Sequence, residues 1–244
     1  MKEIGAERLF DGPIAEEYGL LQKICPAAAD ISQRVGEFVG AWKVAYKAET
    51  LELLEIGCGT GVTTKHLLQN RPDTCLTSID NTPDMLVQAA ANLRPAVLAN
   101  RLKLIETDAL SHLQATPSAS VDIVASAYTL HNFLDSYREQ VLAEIFRVLK
   151  PGGLFINGDR YALDNSQEHL KLTQAEAREY CRVFTEMQRP DLLADWIAHL
   201  FSDESSDHIM RLQAALDSMA KIGFQGISQH YREGVNTLVS GLKA

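Results

Sequence analysis

Short apolar runs alternate along the chain with longer segments in which apolar residues recur every three or four positions. The runs at 51–56, 75–79, 102–105, 121–126 and 154–157 are too short for helices and read as buried strands. Between them, 60–70, 84–98 and 137–149 carry helical spacing. In the last of these Val141, Leu142, Ile145, Phe146 and Leu149 fall on one face. Strand–helix alternation of this kind predicts an α/β fold with a mostly parallel sheet. Near the end, helical spacing over 209–221 gives way to two strand-like runs, 225–231 and 237–242, joined by the turn Arg232-Glu233-Gly234. The first fifty residues contain no strand. They read as a short amphipathic run at 15–24 and a helix over 27–47, with Pro26 at its first position and Ile31, Val35, Phe38, Val39 and Trp42 at helical spacing. From 161 to 207 the pattern is helical and polar, with helices expected at 176–184 and 191–201. The chain therefore reads as one domain over 1–244: a helical lid segment (1–48), a core (49–160), a helical cap insertion (161–207), and a final helix with a β-hairpin (208–244).

The densest local signal lies where the first strand ends. Leu53-Leu54-Glu55-Ile56-Gly57-Cys58-Gly59-Thr60-Gly61 passes from an apolar strand through alternating glycines straight into a helix. Without a Cβ, Gly57, Gly59 and Gly61 allow positive φ and close approach of a ligand to the main chain. The free N–H groups of the following helix point to the same place, so a nucleotide-like cofactor fits there. The G-x-G-x-G spacing is not the dinucleotide fingerprint G-x-G-x-x-G, and no Lys-Ser or Lys-Thr follows to make a P-loop. The acid Glu55 ahead of the first glycine suggests a ligand carrying an amine. About twenty residues on, Asp80 closes the second strand, which in a βαβ unit returns beside the glycine turn. An ionised carboxylate there, being acceptor-only, can take both hydroxyl hydrogens of a ribose. Thr82 and Pro83 then open the next helix. The polar stretch Glu106-Thr107-Asp108-Ala109 follows the third strand, again at the carboxyl edge of the sheet.

Composition narrows the partners. With 244 residues, 46% of them hydrophobic, the chain can bury one substantial core. A net charge of −9 argues against generic nucleic-acid binding, which needs basic surface. Cys25, Cys58, Cys75 and Cys181 form no CxxC pair and read as reduced thiols of a cytoplasmic protein. No run of eighteen apolar residues and no N-terminal signal pattern is present, so no membrane association is expected. Monomer and homodimer both fit.

The glycine turn, an acid after the second strand, another after the third, and Leu149-Lys150-Pro151-Gly152-Gly153 before Phe155-Ile156-Asn157 occur in the order found in class I S-adenosylmethionine (SAM) dependent methyltransferases. The resemblance covers residues 51–159. It implies a doubly wound, seven-stranded Rossmann-like sheet with a reversed C-terminal hairpin, and SAM as cofactor. It also implies that Glu55 meets the methionine amine, Asp80 the ribose, and Asp108 the adenine amine, with Asn81, Ala109 and Ser126 beside them. Met85 lies against the adenine or in the core. Tyr18 and Lys23, in the N-terminal helices that cover the cofactor in small-molecule members, either face the ligand or lie on the surface.

Methyl transfer needs an aligned acceptor and, for some acceptors, a base. The expected acceptor is a small molecule. His131, just after the fourth strand, is the candidate base or orienting group; the alternatives are a structural role holding its loop or a spectator beside the acceptor. Tyr128 and Asn132 share that loop. Asp159-Arg160-Tyr161 leaves the fifth strand toward the same pocket, where Arg160 would either bind a charged acceptor or anchor the lid. Trp196 and Phe201 on a cap helix would line an apolar acceptor pocket or form core. No metal is expected, since no HExxH or clustered His/Cys pattern occurs. His66, His112, His169, His199, His208 and His230 show no constellation. The layout is also similar to enzymes that make carboxy-S-adenosylmethionine for tRNA modification, where a cation such as Arg160 or Arg189 would hold the extra carboxylate. A non-catalytic SAM-binding protein is a third possibility.

Overall fold

The computed structural model describes residues 26–44 and 50–244. Its centre is a seven-stranded sheet in the order β3-β2-β1-β4-β5-β7-β6. The strands are β1 (Leu51–Ile56), β2 (Thr74–Asp80), β3 (Leu102–Glu106), β4 (Val121–Ala127), β5 (Leu149–Arg160), β6 (Gln225–Glu233) and β7 (Asn236–Leu242). The first five run parallel, and β7 is antiparallel to both β5 and β6. The C-terminal hairpin is thus reversed as expected, with the last strand inserted between β5 and β6.

Alternating side chains of the central strands feed two apolar layers, one on each face of the sheet. Leu53 packs with Ile31, Val35 and Val39 of α1 (Pro26–Ala41) and with Leu67 of α2 (Val62–Asn70). Its neighbour Leu54 turns to the opposite face. There it joins Leu113 of α5 (Ala109–Ala115), Val141 and Ile145 of α6 (Asp135–Val148), and Met219 of α9 (Leu212–Ile222). Helix α1 lies directly on α2, because Gly36 has no Cβ: one placed there would come within 2.5 Å of the His66 Cβ.

Several element boundaries differ from the sequence reading. The helix expected over 27–47 ends at Ala41. The helix expected over 84–98 is two, α3 (Pro83–Asn92) and α4 (Arg94–Leu98), broken at Leu93. Pro95 causes the break, since a proline inside a continuous helix removes a hydrogen bond and clashes with the preceding turn. In the cap, the first helix is far longer than 176–184: α7 spans Ser166–Glu186, started by the Asn165 side chain accepting from the Gln167 and Glu168 N–H groups. Helix α8 covers Pro190–Asp203. Tyr180, Phe184, Leu192, Trp196 and Leu200 pack together between α7 and α8 and give the cap its own small core.

Candidate active site

The order reverses at β1, which lies between β2 and β4. Open α/β sheets bind ligands in the crevice outside the strand ends at such a point. A cavity of about 350 Å³ occupies it. The glycine turn, the tips of β2 to β4, α3 and the start of α1 line it.

The three glycines serve different ends. All have positive φ: 70° at Gly57, 51° at Gly59 and 89° at Gly61. A Cβ on Gly57 would strike the Thr129 side chain at 2.2 Å, so packing as well as φ requires glycine there, whereas one on Gly61 would meet only the end of the Leu93 side chain at 2.7 Å, and its left-handed φ is the stronger reason for glycine. A Cβ on Gly59 would meet nothing within 4 Å. It would project into the space where a ligand must sit, which is the cradle expected for a cofactor held against bare backbone.

Asp80 stands beside this cradle. Its Oδ2 accepts the Gly59 N–H at 2.8 Å and its Oδ1 the Thr82 N–H at 2.9 Å, which leaves lone pairs for a ligand. Burial pushes its carboxyl above the usual range despite these bonds. Asp108 starts α5, accepting from the Ser111 N–H at 3.0 Å and the Tyr137 hydroxyl at 2.9 Å. Burial would raise it, but the bonds from Ser111 and Tyr137 outweigh burial and hold it below the usual range. Asn81, Met85, Ala109, Tyr128 and Asn132 line the same cavity. Cys58 lines it too, its thiol held well above the ordinary range by burial, and so stays protonated.

Glu55 and Ser126 do not line the cavity. Glu55 is 1% exposed beneath the turn, its Oε2 accepting from Thr64 at 2.7 Å and Ser78 at 2.6 Å. Burial pushes its carboxyl up to about 7, and its Oε1 has no hydrogen-bond partner among the described residues. Ser126 is wholly buried and donates to the Ile56 carbonyl. Strand alternation turned both side chains away from the crevice. Tyr18 and Lys23 lie outside the described residues.

The loop after β4 is held under strain. Tyr128 has φ 50°, an outlying conformation for a bulky side chain. Its N–H donates to the Gly158 carbonyl at 2.9 Å, and its hydroxyl to Asn236 Oδ1. Behind it, edge-on at 5.9 Å between ring centres, is His131, 6% exposed and not part of the cavity wall. His131 Nδ1 lies 2.5 Å from Asp159 Oδ1. Asp159 also accepts the N–H groups of Leu130 and Arg160, each at 2.9 Å. Burial alone would raise the Asp159 carboxyl, but His131 and these bonds hold it below its usual range. Arg138 completes the support, donating to the carbonyls of Leu130, Phe133 and His208.

The other acceptor candidates stand away from the cavity. Arg160 does not reach the cavity. Glu176 grips it through two bonds, at 2.6 and 3.0 Å, with Asp203 at 3.5 Å and Glu204 at 3.6 Å, contacts that join the cap to the end of β5. Trp196 is core of the cap and Phe201 is exposed. Arg189 pairs with Asp191 on the surface. His169 and His199 are not isolated: His169 Nε2 lies 2.7 Å from Glu204, and His199 gathers with His131 and Asp203. Sequence reasoning also missed Thr129, Tyr137 and Arg138. Of these only Arg138 left a trace, as a cation inside an otherwise apolar helix stripe.

A seven-stranded sheet in this order, with a bare-backbone cradle and acidic tips on the next two strands, defines a Rossmann-like nucleoside-cofactor protein. The cavity residues fit SAM: Gly59 leaves its space open, and Asp80 and Asp108 present acceptors there. Residues 53–153 match the methyltransferase domain family model, and the fold is that of the class I SAM-dependent methyltransferases. It is 23% identical over 228 residues to a carboxy-S-adenosyl-L-methionine synthase of Hydrogenovibrio crunogenus, covering 91% of this chain and 86% of that protein. It is 30% identical over 146 residues to a malonyl-[acyl-carrier protein] O-methyltransferase of a Paenibacillus species, covering 60% of this chain and 50% of the relative. The fold is also that of an O-methyltransferase family protein from Burkholderia thailandensis, with TM-score 0.63 and 16% identity over 94% of this chain and 59% of the other. No helix among the described residues is long and apolar enough to cross a membrane.

Proposed function

We infer that the chain transfers the methyl group of SAM to a small organic acceptor. One observation carries the choice: among the described residues lining the cavity, the charged ones are Asp80 and Asp108, and none is Lys or Arg. Such a wall favours a cationic donor. SAM supplies the electrophilic methyl carbon when bound. Asp80 would take the ribose hydroxyls, the Gly59 backbone would lie against the ligand, and Asp108 would accept the adenine amine. The chain's part in the transfer is alignment. The Tyr128–Asn132 loop, fixed by Asp159 and Arg138, forms the wall facing the acceptor, with His131 orienting that loop from behind.

The second reading, synthesis of carboxy-SAM, is favoured by the near end-to-end similarity to a synthase of that compound. That product carries an added carboxylate and would need a cation at the cavity. Arg160 and Arg189, the residues considered for it, are engaged with acids elsewhere. Mass spectrometry of the ligand retained through purification decides between the two. SAM or S-adenosylhomocysteine supports methyl transfer, and carboxy-SAM overturns it.

A further inference from the structure

His131, His199 and Asp203 each present a ligand atom within 4.8 Å of the other two. His199 and Asp203 lie one turn apart on α8 and so share a face. His131 comes from the loop after β4, so the three join the cap to the sheet. All are largely enclosed, with side chains 7%, 10% and 7% exposed respectively.

The cluster has the features of a built site. Asp159 occupies His131 Nδ1 at 2.5 Å, which fixes the ring and leaves Nε2 to serve as a ligand. A carboxylate behind a histidine is the usual support of a metal-bound imidazole. Asp203 Oδ1 is buried without a hydrogen-bond partner among the described residues, and stands 3.8 Å from His199 Nε2. A buried carboxylate oxygen left unpaired is costly, and a cation would satisfy it. Further acids lie close by: Asp159 behind His131, and Glu176 and Glu204 beside Arg160 and His169.

We propose that His131, His199 and Asp203 bind one divalent first-row transition ion, of the zinc or iron(II) type, which bolts the cap to the loop carrying Tyr128 and Asn132. Two imidazoles and a carboxylate suit such ions better than magnesium or calcium, which take mainly oxygen ligands. Ligand atoms around a tetrahedral ion at ~2.0–2.1 Å stand ~3.3 Å apart, so binding would draw α8 toward the loop by a small closure. The ion would lie behind Tyr128, outside the cofactor cavity. Its binding can therefore be measured apart from that of S-adenosylhomocysteine.

The full-length protein, stripped with a chelator, is offered Zn²⁺, Fe²⁺ (without oxygen), Mn²⁺ or Co²⁺ in turn, and bound metal is counted by mass spectrometry. One equivalent per chain is expected from at least one ion. Co²⁺ should show the intense visible absorption of a four- or five-coordinate site. His199→Ala and Asp203→Ala should each weaken metal binding tenfold or more, while affinity for S-adenosylhomocysteine stays within twofold. Binding of none of the four ions, or undiminished metal in both variants, overturns the proposal. Should the variants fail to fold, the wild-type Co²⁺ spectrum decides: weak absorption like that of the hydrated ion refutes the site.

Discussion

The Asp80 carboxylate receives the Gly59 backbone N–H at 2.8 Å. The acid that would take the ribose thus also fixes the shape of the backbone against which the ligand lies. Asp80→Ala removes both functions. Charge-assisted hydrogen bonds of this kind contribute about 1.5–3 kcal/mol each, so SAM affinity should fall ten- to a hundredfold or more while the protein stays folded. Calorimetric titration alongside circular dichroism measures both. Unchanged affinity would remove Asp80 from the ribose site.

Gly59→Ala and Gly57→Ala should part company. At Gly59 a methyl group meets only the open cavity, so the expected stability loss is the ~1–2 kcal/mol of a left-handed backbone, with a large loss of SAM binding. At Gly57 the methyl group collides with Thr129, and the fold itself should suffer. Thermal unfolding with and without S-adenosylhomocysteine separates the cases.

Glu55 sets a pH dependence. Its folded pKa, about 7, lies above the unfolded value of 4.5, so between these the native state binds the extra proton. The stability this contributes is complete below pH 4.5 and lost as pH rises through 7. The shift corresponds to roughly 3 kcal/mol. Urea unfolding at pH 5 and pH 8.5 should show wild type losing most of that difference. Glu55→Gln, which cannot ionise, should lose much less.

Removing the cap's anchor should loosen the cap selectively. Arg160→Met leaves Glu176, Asp203 and Glu204 facing one another around an apolar side chain, a change worth about 3–5 kcal/mol for a buried pair. Hydrogen exchange should accelerate across Ser166–Glu186 and Pro190–Asp203 and stay slow in β1 and β4. Equal acceleration throughout would mean that the cap and sheet unfold as one.

The sheet and the cofactor cleft were legible in the sequence because their determinants are local. Alternating runs gave the strands, and the Gly57–Gly61 turn with Asp80 and Asp108 placed the cavity. Facing direction was harder to read. Glu55 and Ser126 sit at the right positions along their strands yet turn into the core, since a side chain's face depends on register against neighbours. The cap was hardest. Its 21-residue first helix is polar over much of its length, so periodicity showed only the half that packs on α8. His131 and His199 are 68 positions apart in sequence, and no spacing rule links them; only the folded path of the chain does.

Tyr128 binds this outer architecture to the chemistry in one further way. Its main chain is tied to Gly158 of β5 and its hydroxyl to Asn236 at the start of β7. The cavity wall is therefore finished only once the chain has been made as far as Asn236. A chain released at residue 230 could form the glycine turn but would lack the prop that holds Tyr128 in its unfavourable conformation. Ligand binding would then depend on β7, and forms shortened ahead of β7 should lose it before they lose their parallel core.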